Sequence, residues 1–544
     1  MRHWLSPCVV AAALVLSACS TLTPSRPASW GAPEALVAPS SFSGVHGLAI
    51  DQKGRLLAGS VLGNAIWEVD RRTGAAKILV GGPEGQADDI AIGPKGEMAW
   101  TNYLSGAVRI RDHDNAPSRV IASGLPGLNS LDFDRRNGKL YATQVFLGDA
   151  LYELDPSGAR PPRLIAKDLG GLNGFEVGPD GMIYGPLWFK RSVVRVDPAN
   201  GAVSVISASF DVPAAANLDG KGNVWVIDTA TGELSKVALA TGARQIVARL
   251  SSAIDNLAIA PDGTVYVSNM ADNGIQAVNP ATGAVTQLTR GQVAVPAGIK
   301  LDGDSMWVTD VFTLRKVNLG TGAVQDIKRS HAVDSDLEYP FAVGMSSQRL
   351  ALASWFTGTV QVINRASGKT ETMLHGWKAP YDALPLEDGS LLVAEIATGS
   401  ITQASGPNYE QRRVVASGLG GPVQMVLGPD GQLYVTEAAG NVQRIHLKDG
   451  SKTQVATGLA LPEGLAFTPW GTLVVAESAA GRLTEIDLAA NQRRTVADQL
   501  PIGLSGAPGM PPPYVATGVA VGSDGAVYFS ADRNNGIYRI RPQR

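Results

Sequence analysis

One unit of about forty residues recurs along almost the whole chain, and this repeat limits the folds that the sequence can adopt. Each copy reads as four short strands joined by a Pro-Asp-Gly-type turn, a loop and a Thr-Gly-type turn. The segment GLAIDQKGRLLAGSVLGNAIWEVDRRTGAAKILV from Gly47 is matched in this way by NLAIAPDGTVYVSNMADNGIQAVNPATGAVTQLT from Asn256. Apolar residues alternate within the strands, and the turns carry the Gly or Asn that a positive φ requires. A fixed period with four strands per unit is typical of β-propeller blades.

The first strands of the repeats divide into two equal sets. Successive starts are 40 to 44 residues apart, except for the last step of 54 residues. Twelve blades in one ring would leave a wide, unfilled channel. We therefore predict an all-β fold of two tandem six-bladed β-propellers, with seven plus five blades as the alternative division. The twelve starts lie near Gly47, Asp89, Ser130, Gly174, Ala215, Asn256, Gly298, Phe341, Asp382, Gln424, Gly464 and Gly518.

The ends of the chain suggest how the two rings close. The predicted domains are a signal segment (1–19), a tether (20–33), a first propeller (34–290) and a second propeller (291–544). The sequence ALVA from Ala35 reads as a lone fourth strand, whereas the last blade stops after its third strand, IYRIRP. We expect ALVA to close the first ring and the strand AVTQLT from Ala284 to cross over and complete the last blade. Neither ring would then have a free edge.

The N-terminus predicts export. A basic start is followed by the apolar stretch VVAAALVL, which is too short to span a bilayer. The sequence LSAC ending at Cys19 resembles a bacterial lipobox, which implies cleavage before Cys19 and lipidation of its sulfur. An ordinary signal peptide is the alternative. Ser20 rather than Asp follows, so we expect the periplasmic face of the outer membrane, with the lipid as the only membrane contact.

Composition narrows the chemistry of the exported part. The only cysteines are Cys8 and Cys19, so the mature chain is expected to have no disulfide and no thiol nucleophile. A formal net charge of −3, with charges of both signs scattered along the chain, predicts no nucleic-acid partner.

The residue just before each first strand differs between the two halves. In this type of blade, that residue lies at the mouth of the central tunnel. The first half carries metal-competent side chains at five of its six positions, and the second half carries one clear carboxylate. The positions are His46, Asp88, Asn129, Asn173, Ala214 and Asp255 in the first half, and Ala297, Pro340, Tyr381, Val423, Glu463 and Thr517 in the second.

This pattern predicts a calcium site at the first mouth. Carboxylate and carboxamide oxygens are hard ligands, and Ca²⁺ accepts six to eight of them in irregular geometry. The predicted ligands are Asp88, Asn129, Asn173 and Asp255. Zinc is less favoured because thiolates are absent and only one His joins the set. Alternatively, these side chains only satisfy tunnel water, and Asn173 belongs to a turn with the glycine that follows it.

Two motifs resemble a known family. LNGFEVGPDG from Leu172 resembles the Asn-Gly motif of the senescence-marker-protein/gluconolactonase family and of paraoxonases. IDNLAIAPDG from Ile254 is similar to the Asp-Asn pair of paraoxonases. The resemblance implies a six-bladed propeller with a catalytic Ca²⁺, in which Asn129, Asn173 and Asp255 are ligands and Asp88 replaces the family's Glu. It covers the first half, whereas the second half resembles NHL-type repeats only at the level of single blades.

The implied reaction is metal-assisted hydrolysis of a lactone, ester or phosphoester. His46 or Asp255 would be the base that activates water. The alternative is a non-catalytic envelope scaffold that binds a protein, peptide or glycan, which the largely apolar second mouth and the Pro-rich insertion at 501–514 suggest. The side chains expected to line a substrate pocket are Asn102, Tyr103, Trp188, Asn256 and Asn269.

Overall fold

The computed structural model describes residues 25–507 and 509–543. The predicted signal segment and the lipidation site Cys19 lie outside these residues. Their regular structure is β throughout, apart from one short 3₁₀ helix, Ser478–Ala480. No helix in this part of the chain is long and apolar enough to cross a membrane.

Two short strands precede the first ring, β1 (Ser29–Trp30) and β2 (Glu34–Val37). Six four-stranded antiparallel sheets follow, each built from strands consecutive in the chain. The first two sheets contain β3 Leu48–Ile50, β4 Leu56–Ser60, β5 Ala65–Val69 and β6 Ala76–Val80, then β7 Ala87–Ile92, β8 Met98–Asn102, β9 Ala107–Arg111 and β10 Arg119–Ala122. The next two contain β11 Leu128–Asp134, β12 Lys139–Gln144, β13 Ala150–Leu154 and β14 Arg163–Lys167, then β15 Glu176–Val177, β16 Ile183–Leu187, β17 Ser192–Val196 and β18 Val203–Ala208. The last two contain β19 Pro213–Leu218, β20 Asn223–Asp228, β21 Glu233–Ala238 and β22 Arg244–Arg249, then β23 Ile254–Ile259, β24 Val265–Asn269, β25 Gly274–Val278 and β26 Val285–Thr289.

The second ring repeats the pattern in its first five sheets. The first two contain β27 Ile299–Asp302, β28 Ser305–Thr309, β29 Thr313–Asn318 and β30 Val324–Arg329, then β31 Ala342–Met345, β32 Arg349–Ser354, β33 Thr359–Asn364 and β34 Thr370–Leu374. The next two contain β35 Pro380–Pro385, β36 Leu391–Glu395, β37 Ser400–Ser405 and β38 Gln411–Ala416, then β39 Pro422–Leu427, β40 Leu433–Glu437, β41 Asn441–Ile445 and β42 Lys452–Ala456. The fifth contains β43 Pro462–Phe467, β44 Leu473–Glu477, β45 Arg482–Asp487 and β46 Gln492–Ala497. The chain ends with β47 Val519–Val521, β48 Val527–Ala531, β49 Gly536–Ile540 and β50 Pro542–Gln543.

The first strands of the blades show that there are two closed rings of six. In the first ring, each first strand contacts the next from β3 to β23, and β23 returns to contact β3. In the second ring, β27 to β47 contact one another in the same way, and β47 returns to β27. The predicted all-β fold of two tandem six-bladed propellers is therefore confirmed, and the division into seven and five blades is excluded.

The N-terminal strand closes the second ring, not the first. β2 pairs antiparallel with β49, with Glu34 opposite Arg539 and Val37 opposite Ile537, and supplies the fourth strand of the last blade. β26 stays in its own sheet, beside β25. The expectation that ALVA closes the first ring and AVTQLT crosses over is thus wrong. The first ring is built entirely from consecutive strands of the chain. The second ring is closed by β2, which precedes the first ring in the sequence.

The hydrophobic core lies between neighbouring blades. The faces of adjacent sheets bury clusters of aliphatic side chains, such as Val108 and Ile110 of one blade against Leu131, Phe133 and Leu140 of the next. The second strand of a blade is buried on both faces, as in β4, β8 and β24, whereas fourth strands such as β18 and β26 are largely exposed.

We predict that Val37 is essential to closure of the second ring. Val37 is fully buried and packs in a cluster that includes Ile299 and Ile537. Val37→Ala should lower the free energy of unfolding by about 2 kcal/mol, because it removes buried methyl groups and leaves a cavity. Urea unfolding measures the change. Glu34→Ala, in the same strand but at the surface, should change stability by less than about 0.5 kcal/mol, and an equal effect of both substitutions would contradict the closure.

Candidate functional site

Bulges at the start of the blades create the mouth of the first ring. β7 pairs with β8 at Ala87 and resumes regular pairing only at Ile90, so Asp88 and Asp89 lie in a register break. The same break separates Leu128 from Leu131 and Ile254 from Leu257. Residues in a bulge leave the hydrogen-bond ladder and their side chains are re-aimed. The position before each first strand therefore faces the tunnel because the backbone departs from regular pairing there.

Threonine hydroxyls at or just after the end of the second strand bond two of the blades to the next blade. Thr101 Oγ1 accepts the Asp89 N–H at 3.0 Å and donates to the carbonyl of Asn129 at 2.7 Å. Thr229 Oγ1 donates to the carbonyl of Ile254 at 2.7 Å in the same manner. These bonds replace the ladder bonds that the bulge removes, and they fix the backbone of the mouth residues.

The second residue of each bulge points away from the mouth. The buried carboxylate of Asp89 accepts the N–H of Ile90 at 2.9 Å, the N–H of Leu131 at 3.3 Å and the carboxamide N–H of Asn256 at 3.1 Å. Burial raises the pKa of Asp89 to about 7 against the lowering effect of these bonds. Asn256, expected in the substrate pocket, is thus turned toward Asp89 and does not line the cavity.

Three side chains of the first mouth converge. One ligand atom from each of His46, Asp88 and Asp255 lies within 4.8 Å of the others. His46 Nδ1 lies 2.9 Å from the carbonyl oxygen of Gly44. Since a carbonyl only accepts, Nδ1 carries the ring proton and Nε2 keeps its lone pair. The cluster therefore offers two carboxylates and a neutral imidazole nitrogen.

The two asparagines lie beside this cluster and line the same cavity. The Ser130 hydroxyl lies 2.8 Å from Asn129 Oδ1 and 3.1 Å from Asn173 Oδ1, and donates its one proton between them. Asn173 Oδ1 also accepts the N–H of Gly174 at 2.9 Å. Their oxygens are therefore already partly engaged, and whether Asn129 and Asn173 are metal ligands stays a prediction.

The cluster forms the floor of a cavity of about 450 Å³ between the two propellers. The floor comes from the first ring. The opposite wall comes from the second ring and is aromatic, with Phe312, Tyr339, Phe341, Trp355 and Phe356. Cavities of this size with few polar groups are typical of small-molecule sites.

The second ring also contributes a hydrogen-bonded pair that the sequence analysis missed. His331 Nε2 and the Tyr339 hydroxyl are 2.6 Å apart, and both residues line the cavity. They lie in the connection between β30 and β31, residues 330–341, which is longer than a tight turn. The length of this connection was the sequence feature that could have indicated a contribution to the site.

The expected pocket residues divide into two groups. Tyr103 and Trp188 line the cavity. Asn102 and Asn269 do not, because their carboxamides donate to backbone carbonyls of the preceding loops, Glu84 for Asn102 and Ser252 for Asn269. Together with Asn256, these two asparagines are corrections to the predicted pocket.

Burial dominates the electrostatics of the floor. It raises the pKa of Asp88 well above the usual range, and the carboxylates of Asp255 and Asp89 raise it further. Burial raises the pKa of Asp255 to about 7 and lowers that of His46 to about 4. Two carboxylates thus lie close together with no compensating cationic side chain among the cavity-lining residues of the described chain.

The mouth of the second ring is filled by the chain itself. The Tyr381 hydroxyl donates to the carbonyl of Pro513, and the ring of Trp355 stacks on Tyr381 at 6.3 Å. Glu463 accepts the Thr517 N–H at 2.6 Å. The insertion at 501–514 therefore packs over this mouth, and its Tyr514 joins the core between the propellers.

No model of a known protein family matches the chain, and no curated protein matches it. Among solved structures, a streptogramin B lyase is similar at 15% identity over 60% of this chain and 93% of its own, with a TM-score of 0.26. The extracellular domain of a one-component system from B. thetaiotaomicron is similar at 12% identity over 94% of this chain and 78% of its own, with a TM-score of 0.33. The tricorn protease is similar at 11% identity over 92% of this chain and 61% of its own, with a TM-score of 0.37. Such low TM-scores transfer no activity, so the site is interpreted from its own residues.

We predict that Asp255→Asn stabilises the metal-free protein at high pH. A carboxyl whose pKa is raised on folding is protonated more in the folded than in the unfolded state between about pH 4 and 7. Its charge therefore destabilises the fold above pH 7, and this penalty disappears as the pH falls toward 4. In EDTA at pH 8, the free energy of unfolding of the variant should be about 1 to 2 kcal/mol higher than that of the wild type.

Urea unfolding at pH 8, 6 and 4.5 measures this difference, which should shrink as the pH falls. Asp112→Asn, at an exposed carboxylate that pairs with Arg119 on the surface, is the matched control and should leave the pH profile unchanged. A variant less stable than the wild type at pH 8 would contradict the interpretation of the floor.

Proposed function

We propose that this chain is an exported lipoprotein with a divalent-metal-dependent hydrolase site, of the lactonase, esterase or phosphoesterase type, at the mouth of its first propeller. The observation that carries the proposal is the convergence of His46, Asp88 and Asp255 within 4.8 Å at the floor of a cavity. A polar floor beneath an apolar wall is the usual arrangement where a few side chains perform chemistry on a bound small molecule.

The floor fits a divalent cation. Asp88 and Asp255 repel each other in a buried place, which is why the pKa of Asp88 is raised beyond the effect of burial. A cation between them would remove this repulsion, and oxygen-rich sites of two carboxylates suit Ca²⁺. Asn129 and Asn173 border the same floor and supply further carboxamide oxygens. We assign Ca²⁺ as the ion and Asp88 and Asp255 as its charged ligands.

His46 is the base in this proposal. Its Nδ1 proton is held by the Gly44 carbonyl, so the lone pair on Nε2 is free to accept a proton from a water molecule. Burial lowers the pKa of His46 to about 4, which keeps the imidazole neutral and able to accept at neutral pH. When bound, the cation supplies Lewis-acid polarisation of the substrate oxygen. The aromatic side chains opposite make the other side of the cavity largely apolar.

Export and lipid anchoring belong to the same proposal and rest on the N-terminal sequence. The segment before Cys19 supports cleavage and lipidation. Metabolic labelling with a radioactive fatty acid would test this, because Cys19→Ser should abolish incorporation of label.

We predict that Ca²⁺ stabilises the protein through the first mouth. Added to EDTA-treated wild type, Ca²⁺ at one hundred times its Kd should raise the unfolding free energy by about 2.7 kcal/mol, seen as a higher melting temperature. Asp255→Ala should lose this response. Glu463→Gln is the matched control, because Glu463 holds the corresponding position in the second ring and bonds to Thr517.

A melting temperature that does not respond to Ca²⁺ in the wild type would contradict the calcium assignment. A response that survives Asp255→Ala but is lost in Glu463→Gln would place the ion in the second ring and contradict the proposal.

We predict that His46→Asn abolishes hydrolysis but keeps the response to Ca²⁺. Rates with δ-valerolactone, phenyl acetate and diethyl p-nitrophenyl phosphate should depend on Ca²⁺ in the wild type. Loss of the base should lower kcat by about 10²- to 10⁴-fold. If the substitution instead removed the calcium-dependent rise in melting temperature, His46 would be a ligand and not the base.

The scaffold alternative has less support than the sequence suggested. The insertion at 501–514 was expected to dock partners or to cover the tunnel. Its Tyr514 and the carbonyl of Pro513 are buried against the second mouth, and the Ser505 carbonyl accepts a hydrogen bond from Asn64 of the first ring. A loop used in this way stabilises the contact between the propellers. Wild type that neither responds to Ca²⁺ nor hydrolyses any of the three substrates would restore the scaffold as the better hypothesis.

A further inference from the structure

The wall of the cavity is a series of aromatic rings in edge-to-face contact. Phe146 and Trp188 have centroids 5.1 Å apart and planes at 83°, and Trp188 meets His331 at 5.4 Å and 88°. On the other side, Tyr339 meets Phe356 at 5.7 Å and 88°. Because neighbouring rings are nearly perpendicular, they do not all turn an edge to the cavity. In each such pair the edge of one ring covers one face of the other, so the opposite face, which carries the negative part of the quadrupole, is not used by that contact.

The series joins the two propellers. Trp188 belongs to the first propeller, whereas Tyr339 and Phe356 belong to the second. A ligand in the cavity is therefore held between aromatic side chains of both propellers. Phe146, at the first-ring side of the cavity, is 43% exposed. This side of the cavity therefore reaches the protein surface.

The charge of the cavity has one sign. Among its described lining residues there is no Lys or Arg, and the only ionisable acids are Asp88 and Asp255. His46 Nδ1 lies 2.9 Å from the Gly44 carbonyl, and His331 Nε2 lies 2.6 Å from the Tyr339 hydroxyl. An anionic group finds no cationic side chain among these lining residues. A positive charge would be favoured by the ring faces.

We propose that the cavity recognises an organic cation of the quaternary-ammonium type, held against the aromatic wall that Trp188, Tyr339 and Phe356 form across the two propellers. Binding of the cation does not depend on the proposed hydrolysis. Only the further statement, that the substrate is an ester bearing such a group, rests on the proposed function. In that case the ammonium group lies on the wall and the ester lies over His46, Asp88 and Asp255.

The size of the cavity agrees with this class of ligand. About 450 Å³ admits a trimethylammonium group with a short ester attached and excludes long chains. A weakly hydrated cation of this kind is removed from water at little expense, unlike an ammonium ion or a metal, so ring faces hold it well.

The test compares choline with 3,3-dimethylbutan-1-ol, its uncharged isostere of nearly the same shape. Binding of each to the full chain is measured by calorimetry and by tryptophan fluorescence, in EDTA and at saturating Ca²⁺. Choline should bind about tenfold more tightly than the isostere, the difference expected for a cation over aromatic faces. Equal or tighter binding of the isostere, or no binding of choline, would overturn the proposal.

Two substitutions assign the binding to the wall. Trp188→Leu and Phe356→Leu should each weaken choline binding about tenfold while the isostere is affected less, because only the cation uses the ring face. Phe189→Leu is the matched control, since Phe189 is 56% exposed and neighbours Trp188 without lining the cavity. Unchanged near-ultraviolet circular dichroism verifies folding. Choline binding that is insensitive to both wall substitutions would place the ligand elsewhere and refute the assignment.

Acetylcholine separates this inference from the proposed function. Binding of choline without hydrolysis of acetylcholine would keep the cation site and remove the ester as its substrate. Hydrolysis of phenyl acetate without binding of choline would keep the hydrolase and remove the cation site.

Discussion

The relative placement of the two propellers depends on a buried ionic contact at the point where the chain passes from one to the other. Arg329 pairs at 3.0 Å with Asp272, in the last blade of the first ring. The buried Arg315, which pairs with Asp310 of its own ring, also donates to the carbonyl of Ala271 in that blade. Arg329 donates to Asn269 Oδ1 of that same blade at 3.1 Å. Buried pairs of this kind add little net stability, but loss of one partner costs about 3 to 5 kcal/mol, so they select one arrangement over others. The cavity exists because this arrangement brings the two mouths together.

Most of the fold could be predicted from the sequence because its information is local. Each blade is a run of hairpins, and alternation, turn residues and a constant period specify hairpins without reference to distant parts of the chain. Ring closure is different. Fourth strands such as β2 and β26 are the outermost and most exposed in their blades, so ALVA and AVTQLT carry little that distinguishes one neighbour from another. The short turn at Asn279 keeps β26 beside β25, since the entropy of closing a small loop is low, and the unpaired β2 is left for the last blade.

The floor of the site was accessible to sequence reasoning, whereas the opposite wall was not. The positions of His46, Asp88 and Asp255 follow from blade register, and the internal comparison of twelve repeats selects them. Tyr339 and His331 belong to the second ring and reach the same cavity only through contact between the propellers, which no repeat pattern encodes. The three expected pocket asparagines failed for a related reason. Each lies one position from a mouth or loop residue, and the bulge turns alternate side chains in opposite directions.

The role of the apolar second mouth depends on the contact between the two propellers. Taken alone, a mouth of Tyr381, Val423 and Thr517 suggests a ring without chemistry. In the structure it is the packing face that holds Trp355 and Tyr514 against the first ring and gives the polar floor an aromatic cover. Such a cover lowers the effective dielectric constant over Asp88 and Asp255, which raises their pKa values when they are alone and strengthens their attraction for any cation placed between them. A polar mouth on the second ring would admit water and weaken both effects. The two rings therefore contribute differently to one site. The first ring supplies the charged side chains, and the second ring supplies the apolar surroundings in which their charge acts strongly.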